Sequence, residues 1–277
     1  MKIKYIALLM AISVLIVGIY GCNKKDTTTD ETSAESIKSE GISDDSFFEW
    51  EGNTIIGLTE KGKKQKKLII PRNCEGIETV FVDSEATSVE FEDDDDIFFG
   101  TAFMGMSNLK EITLPKNLTK LDSMSFESCS SLEKIVIPEN VELIDVYTFS
   151  NCSSLSNVEF AGDRIKEIQE SAFSYCKSIS SIHIPNNVAI IGENAFLGCS
   201  SLTTVYLSDT VTEIRHNAFL NANVKDLYLS GGIETLTIDS IAFGPSASQM
   251  TVHVVKGSWC DNNRDVWDIG FSSIIAE

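Results

Sequence analysis

Very little in this sequence is equipped for chemistry. Its 277 residues include three histidines, His183, His216 and His253, and none belongs to a His-Glu-x-x-His pattern. No Gly-x-Gly-x-x-Gly run and no phosphate loop is present. The cysteines never form the close pairs from which zinc sites are built, and local sequence offers no Ser-His-Asp or Cys-His arrangement. Catalysis, a cofactor and a metal site are therefore not expected. Basic residues are scarce as well: 22 Lys and Arg stand against 41 Asp and Glu, a net charge of −19. Nucleic acid and anionic lipid headgroups need neutralising cations, so neither suits this chain as its main ligand.

Only one long uncharged apolar run occurs, Ile6 to Ile19, preceded by Lys2 and Lys4 and followed by Gly21-Cys22. A short positive start, an apolar core and a small residue at the end form an export signal rather than a membrane span. The segment resembles the lipobox of bacterial lipoproteins. That resemblance implies removal of residues 1–21, acylation of Cys22 and a membrane anchor through buried CH₂ groups, each worth roughly 0.8 kcal/mol. Ordinary signal cleavage and a retained N-terminal anchor are the alternatives. Residues 23–46 lack any aromatic side chain and, after Asn23, are dense in Lys, Asp, Thr, Glu and Ser. Such a stretch buries too little apolar area to offset its ordering entropy, so 22–46 reads as a lipidated cysteine followed by a disordered tether.

The remainder repeats. Phenylalanine recurs at 103, 126, 149, 173, 196, 219 and 243, spaced by 23 or 24 residues. Cysteine follows four of these by three residues, at 129, 152, 176 and 199. Apolar columns run in phase, among them Leu109, Leu132, Leu155, Ile179 and Leu202, then Ile112, Ile135, Val158, Ile182, Val205 and Leu227. A fixed period in the twenties means stacked units, none of which buries its apolar face alone. Within a unit, Leu132-x-x-Ile135-x-Ile137-Pro138 alternates like a short strand, and proline ends the ladder because it has no N–H. Stacked in parallel, such strands form a sheet with about 4.8 Å between neighbours.

The unit Phe-x-x-Cys-x-x-Leu-x-x-Ile-x-Ile-Pro-x-x-Val-x-x-Ile resembles the BspA-like subclass of leucine-rich repeats. The resemblance extends over 47–277. It implies a solenoid of stacked ~23-residue units, with a parallel β-sheet on one wall, mostly β and turns with little helix. It also implies an exported or surface protein that adheres or binds protein and does not catalyse. Three parts are expected: an N-terminal unit 47–102, regular repeats 103–250 and a C-terminal cap 251–277. Residues 76–103 keep Val89-x-Phe91 in register but lack the Ala-Phe-x-x-Cys block. Trp50, Trp259 and Trp267 lie at the two ends, where an exposed core needs covering.

The four repeat cysteines occupy one position in successive units, about 5 Å apart with parallel Cβ vectors. A disulfide needs converging Cβ atoms about 3.8 Å apart, so a ladder of free, buried thiols is expected. Cys74 and Cys260 lie near opposite ends of the solenoid and cannot pair within one chain. The run Asp93-Asp94-Asp95-Asp96 reads as a solvated acidic turn, with Ca²⁺ as the alternative.

Side chains alternate along a strand, so the residue between two core positions faces out. That outward column is Glu90, Thr113, Val136, Glu159, His183, Tyr206, Tyr228 and His253. Tyrosine favours interfaces because it combines ring area with a hydroxyl. Aromatic residues also cover sheet faces for ordinary stability. The column is the candidate contact for a protein ligand, either a host-matrix or cell-surface protein or an envelope partner in the same cell. Its histidines would make such a contact sensitive between pH 5 and 8. The second reading is a structural or assembly component of the envelope.

Overall fold

The computed structural model describes residues 43–277; the export signal 1–21 and Cys22 lie outside the described residues. Residues 43–46, at the edge of the stretch whose composition reads as tether, are held to the first turns of the domain. Ser43 donates to the Glu92 carboxylate at 2.6 Å. Asp44 accepts from the Ser46 backbone N–H and pairs with Lys61 at 2.8 Å. Polar side chains thus make contacts here that an apolar count does not register.

A hairpin of Phe48–Glu51 and Thr54–Leu58 opens the fold, turning at Gly52 with φ +61°. It buries Phe48, Ile55 and Leu58 and passes into parallel pairing through Ile55 and Ile77. Ten strands, from Lys67–Ile70 to Ser273–Ala276, then line one wall. The opposite wall also carries a parallel sheet, of six two-residue strands from Lys120–Leu121 to Thr237–Ile238. Sequence periodicity points to one sheet only. The second is short because each of its strands has a single inward position. In Lys120–Leu121, Leu143–Ile144 and Glu167–Ile168 only the second residue is buried before the chain turns.

The third side of each unit is a turn that inserts its phenylalanine into the core. Six consecutive ring pairs from Phe103 to Phe243 lie 4.9 to 5.4 Å apart and within 13° of parallel. Identical turns stacked at strand spacing force identical rotamers, and the rings become a continuous spine. At the N-terminal end the spine changes geometry. Phe81 and Phe99 meet Phe103 edge-on, at 5.9 Å and 5.3 Å, so the unit lacking the Ala-Phe-x-x-Cys block fills the same volume with differently placed rings.

From Phe126 to Phe219 these turns place the residues two before and two after the phenylalanine at positive φ. Tyr147 and Asn151 flank Phe149 at 58° and 61°, and Asn194 and Gly198 flank Phe196 at 57° and 70°. A left-handed residue costs roughly 1–2 kcal/mol when it carries a Cβ. Here the conformation aims each N–H along the solenoid axis. Tyr147 donates to Glu170 O at 3.0 Å and Asn151 to Ser174 O at 2.8 Å. The strained positions thereby stitch one unit to the next.

The cysteine column is a ladder of free thiols. Each Sγ donates to the phenylalanine carbonyl of the preceding unit, from Cys129 to Phe103 O at 2.9 Å through Cys199 to Phe173 O at 3.1 Å. Burial pushes the Cys152 and Cys176 thiols well above their ordinary range and Cys199 up to about 12. The thiolate is the reactive form. Cys129, Cys152, Cys176 and Cys199 are all fully buried, and they should resist iodoacetamide in the native protein and be alkylated in denaturant. Rapid native labelling of all four would contradict a sealed ladder.

At the C-terminal end Trp267 is buried and donates to Cys260 O at 2.9 Å, while Phe271 meets the last spine ring, Phe243, edge-on at 5.8 Å. These rings close the core. The acidic run is occupied by its own neighbours. Asp93 faces Arg72, Asp94 pairs with Lys116 at 2.8 Å, and Asp96 accepts from the Thr119 N–H and hydroxyl. Its carboxylates thus cap the following turn, and no group of His, Cys, Asp and Glu suited to a metal occurs among the described residues.

Candidate functional site

The outward column is assembled by strand register. Val136 sits opposite Glu159, His183 opposite Tyr206, Tyr206 opposite Tyr228, and Tyr228 opposite His253. Glu90 lies opposite Ile69 on the other side. Thr113, Val136, Glu159 and His183 are exposed; Glu90, Tyr206, Tyr228 and His253 are partly covered. For the last three, the covering comes from stacking. The His183 and Tyr206 rings lie 4.1 Å apart and 3° from parallel, Tyr206 and Tyr228 4.7 Å and 17°, Tyr228 and His253 4.2 Å and 9°. Four rings form one ladder parallel to the axis. Because their faces cover one another, they present edges and phenolic oxygens outward.

His253 closes the ladder between two acids. Its Nε2 lies 3.1 Å from Asp226 Oδ1 and its Nδ1 3.2 Å from Glu277 Oε1, a setting in which a protonated ring donates at both ends. Desolvation, then the Asp226 carboxylate, raises the Tyr228 phenol above its ordinary range, so its hydroxyl remains available as a donor. Sequence reasoning missed Asp226 and Glu277. Asp226 was detectable, since it precedes Tyr228 by two and so shares its face. The same rule adds a second outward column beside the first: Lys134, Asn157, Ser181, Thr204, Asp226 and Thr251. Glu277 was not detectable, because the cap's strand had no repeat motif to fix its register.

The expected stripe is not continuous. Strands Glu111–Ile112 and Lys134–Ile137 belong to different sheets, and so do Asn157–Phe160 and Ser181–His183, the latter two with no backbone hydrogen bond between them. The unit between Phe149 and Phe173 has one extra residue, in Ala161-Gly162-Asp163-Arg164 after the strand. Gly162 sits so close to the preceding unit that a Cβ would come within 2.5 Å of Glu139 O. Ala161 also donates to Ile137 O at 2.9 Å. The turn is held against the unit before it, and the sheet opens towards the unit after it. A cleft of about 380 Å³ results, lined by Val158, Glu159, Phe160 and His183 among others. Glu159 and His183 therefore face each other across an opening instead of joining one ladder.

Stacked turns of about 23 residues, parallel strands on two walls and an inward apolar spine define a leucine-rich-repeat solenoid. The model for the BspA type leucine rich repeat region matches six copies, over residues 77–166 and 122–248, and the chain belongs to this family. Its fold is similar to that of a leucine-rich repeat protein from Bacteroides ovatus, at 21% identity and TM-score 0.55, over 74% of this chain and 53% of the other. It is also similar to the pneumococcal vaccine antigen PcpA, at 15% identity and TM-score 0.52, over 76% of this chain and 68% of that one. The chain spans about half the length of the first of these relatives. No curated protein matches it in sequence. A BspA-type repeat array is consistent with a protein-interaction or surface module.

Proposed function

We propose that this protein is an envelope-anchored, non-catalytic binding module, exposed outside the cytoplasm, that uses its strand wall for adhesion to a host-matrix or cell-surface protein. The observation that carries the reading is the ladder of His183, Tyr206, Tyr228 and His253. Interface energy concentrates in aromatic residues that lose little entropy on binding. Stacking already fixes these four rings, so a partner meets a preorganised edge. Glu90, Thr113, Val136 and Glu159 extend the surface towards the N-terminus. A solenoid also provides a long wall, which suits a protein ligand better than a small molecule.

The anchor belongs to the same proposal. Labelled fatty acid should enter the wild-type chain and not the Cys22→Ser variant; equal labelling of both removes the lipid. Location and partner are tested together. Protease added to whole cells should degrade the protein, and the immobilised chain should capture a protein from host-matrix extract. Protection from protease, with capture only from the cell's own envelope extract, would replace adhesion by an assembly role.

A further inference from the structure

The cleft between Asn157–Phe160 and Ser181–His183 brings three features together. The first is an aromatic face. Tyr206 covers one side of the His183 ring, and the ring also lines the cleft. Its open side is therefore turned towards the preceding strand. The second is a negative charge without a cation. Glu159 is exposed, lies in the position the next rung would occupy, and makes no ion pair among the described residues. Lys134 on the neighbouring strand is turned to Glu111. The third is apolar surface. Val158 and Phe160 are partly uncovered, whereas their equivalents Ile135, Ile137, Val205 and Leu207 are buried.

We propose that this cleft is a socket for an arginine side chain of the partner protein. A guanidinium is planar, stacks on rings and pairs with a carboxylate in the same plane as its fork. Lying on the open face of His183, it fills the opening between the two strands, and its N–H groups meet the Glu159 carboxylate on the far side. The alkyl stem covers Val158 and Phe160, as long cationic side chains do with apolar surface. Lysine meets only part of this description, because its ammonium is a point charge with no face to stack. The volume of about 380 Å³ falls within the range of pockets that accept small groups, about 300–1,000 Å³. The carboxylates of the chain, net charge −19, favour approach of a cation.

The socket deepens the binding reading of the strand wall and rests on it for its biological partner, but its chemistry is testable without that partner. The probe is N-acetyl-arginine amide, titrated into the full chain at neutral pH while the His183 ring signals are followed by NMR. The ring signals should move in a saturable way. N-acetyl-lysine amide should bind at least about tenfold more weakly, as expected of a point charge without a face to stack. The arginine probe should lose as much on Glu159→Gln, whose melting temperature should be unchanged. Equal response to the arginine and lysine probes, or an unaltered response in Glu159→Gln, overturns the socket. Tighter binding of free arginine than of the blocked amide would make the cleft a small-molecule pocket and likewise overturn it. Silence towards the arginine probe, with partner capture still dependent on Tyr206 and Tyr228, removes the socket and leaves the ladder as the contact.

Discussion

Phe173→Ala should destabilise the repeat domain by roughly 3–5 kcal/mol, the usual cost of truncating a fully buried large side chain. Phe173 has no exposed surface and lies in the middle of the spine, 5.2 Å from Phe149 and 5.4 Å from Phe196. Truncation removes two ring stacks at once and leaves a void whose lining is held by continuous turns on both sides. Collapse of the void is resisted, because shifting either neighbour breaks its own stack. In a one-dimensional array the damage falls on two interfaces, so a central loss divides the solenoid. Urea unfolding followed by circular dichroism measures the effect. Val136→Ala, on the exposed face, should stay within about 0.5 kcal/mol of the parent. A Phe173→Ala midpoint equal to that control would mean that the column faces solvent and that the repeat register is wrong.

The register could be read from residues because several columns repeat in phase. Phe, Cys and the Leu, Ile and Val positions each return after 22 to 24 residues, and a solenoid converts that period directly into contacts. Features with no periodic residue identity were harder to see. The left-handed positions beside the phenylalanines of the earlier units are filled variously by Met124, Ser128, Tyr147, Asn151, Ser171 and Tyr175. Only the later units, with Asn194, Gly198, Asn217 and Asn221, consistently use the residue types that signal such backbone. The second sheet was hidden for a related reason. Its strands are two residues long, too short to show alternation.

For the site, alternation within the strands was enough to find the ladder, since parallel register brings equal positions together. It was not enough to find the break beside His183, nor the one between Glu111–Ile112 and Lys134–Ile137. The extra residue near Gly162 is visible as one spacing of 24 among spacings of 23. A second 24, between Phe219 and Phe243, does not open the sheet, since Asp226–Leu229 pairs directly with Thr251–Val254. Spacing alone therefore does not tell the two cases apart.

Replacing both Tyr206 and Tyr228 by Ala should weaken partner binding by roughly 2 kcal/mol or more, the loss expected of hot-spot rings. The change also removes three stacked contacts, at roughly 0.2–1 kcal/mol for each cross-strand pair. A modest loss of stability must accompany it, so the double Ala variant alone cannot separate contact from support. Tyr206→Phe with Tyr228→Phe does separate them. Both rings and all three stacks remain, and only the outward hydroxyls are lost. The most direct measurement is therefore the affinity of the captured partner for the parent, the double Phe and the double Ala proteins, each checked for folding by thermal melting. The account predicts a melting temperature for the double Phe protein equal to the parent's. It predicts weaker binding by that protein and the largest loss of binding in the folded double Ala protein. A folded double Ala protein that binds as tightly as the parent would make the ladder ordinary sheet surface and would contradict the assignment of the strand wall as the contact.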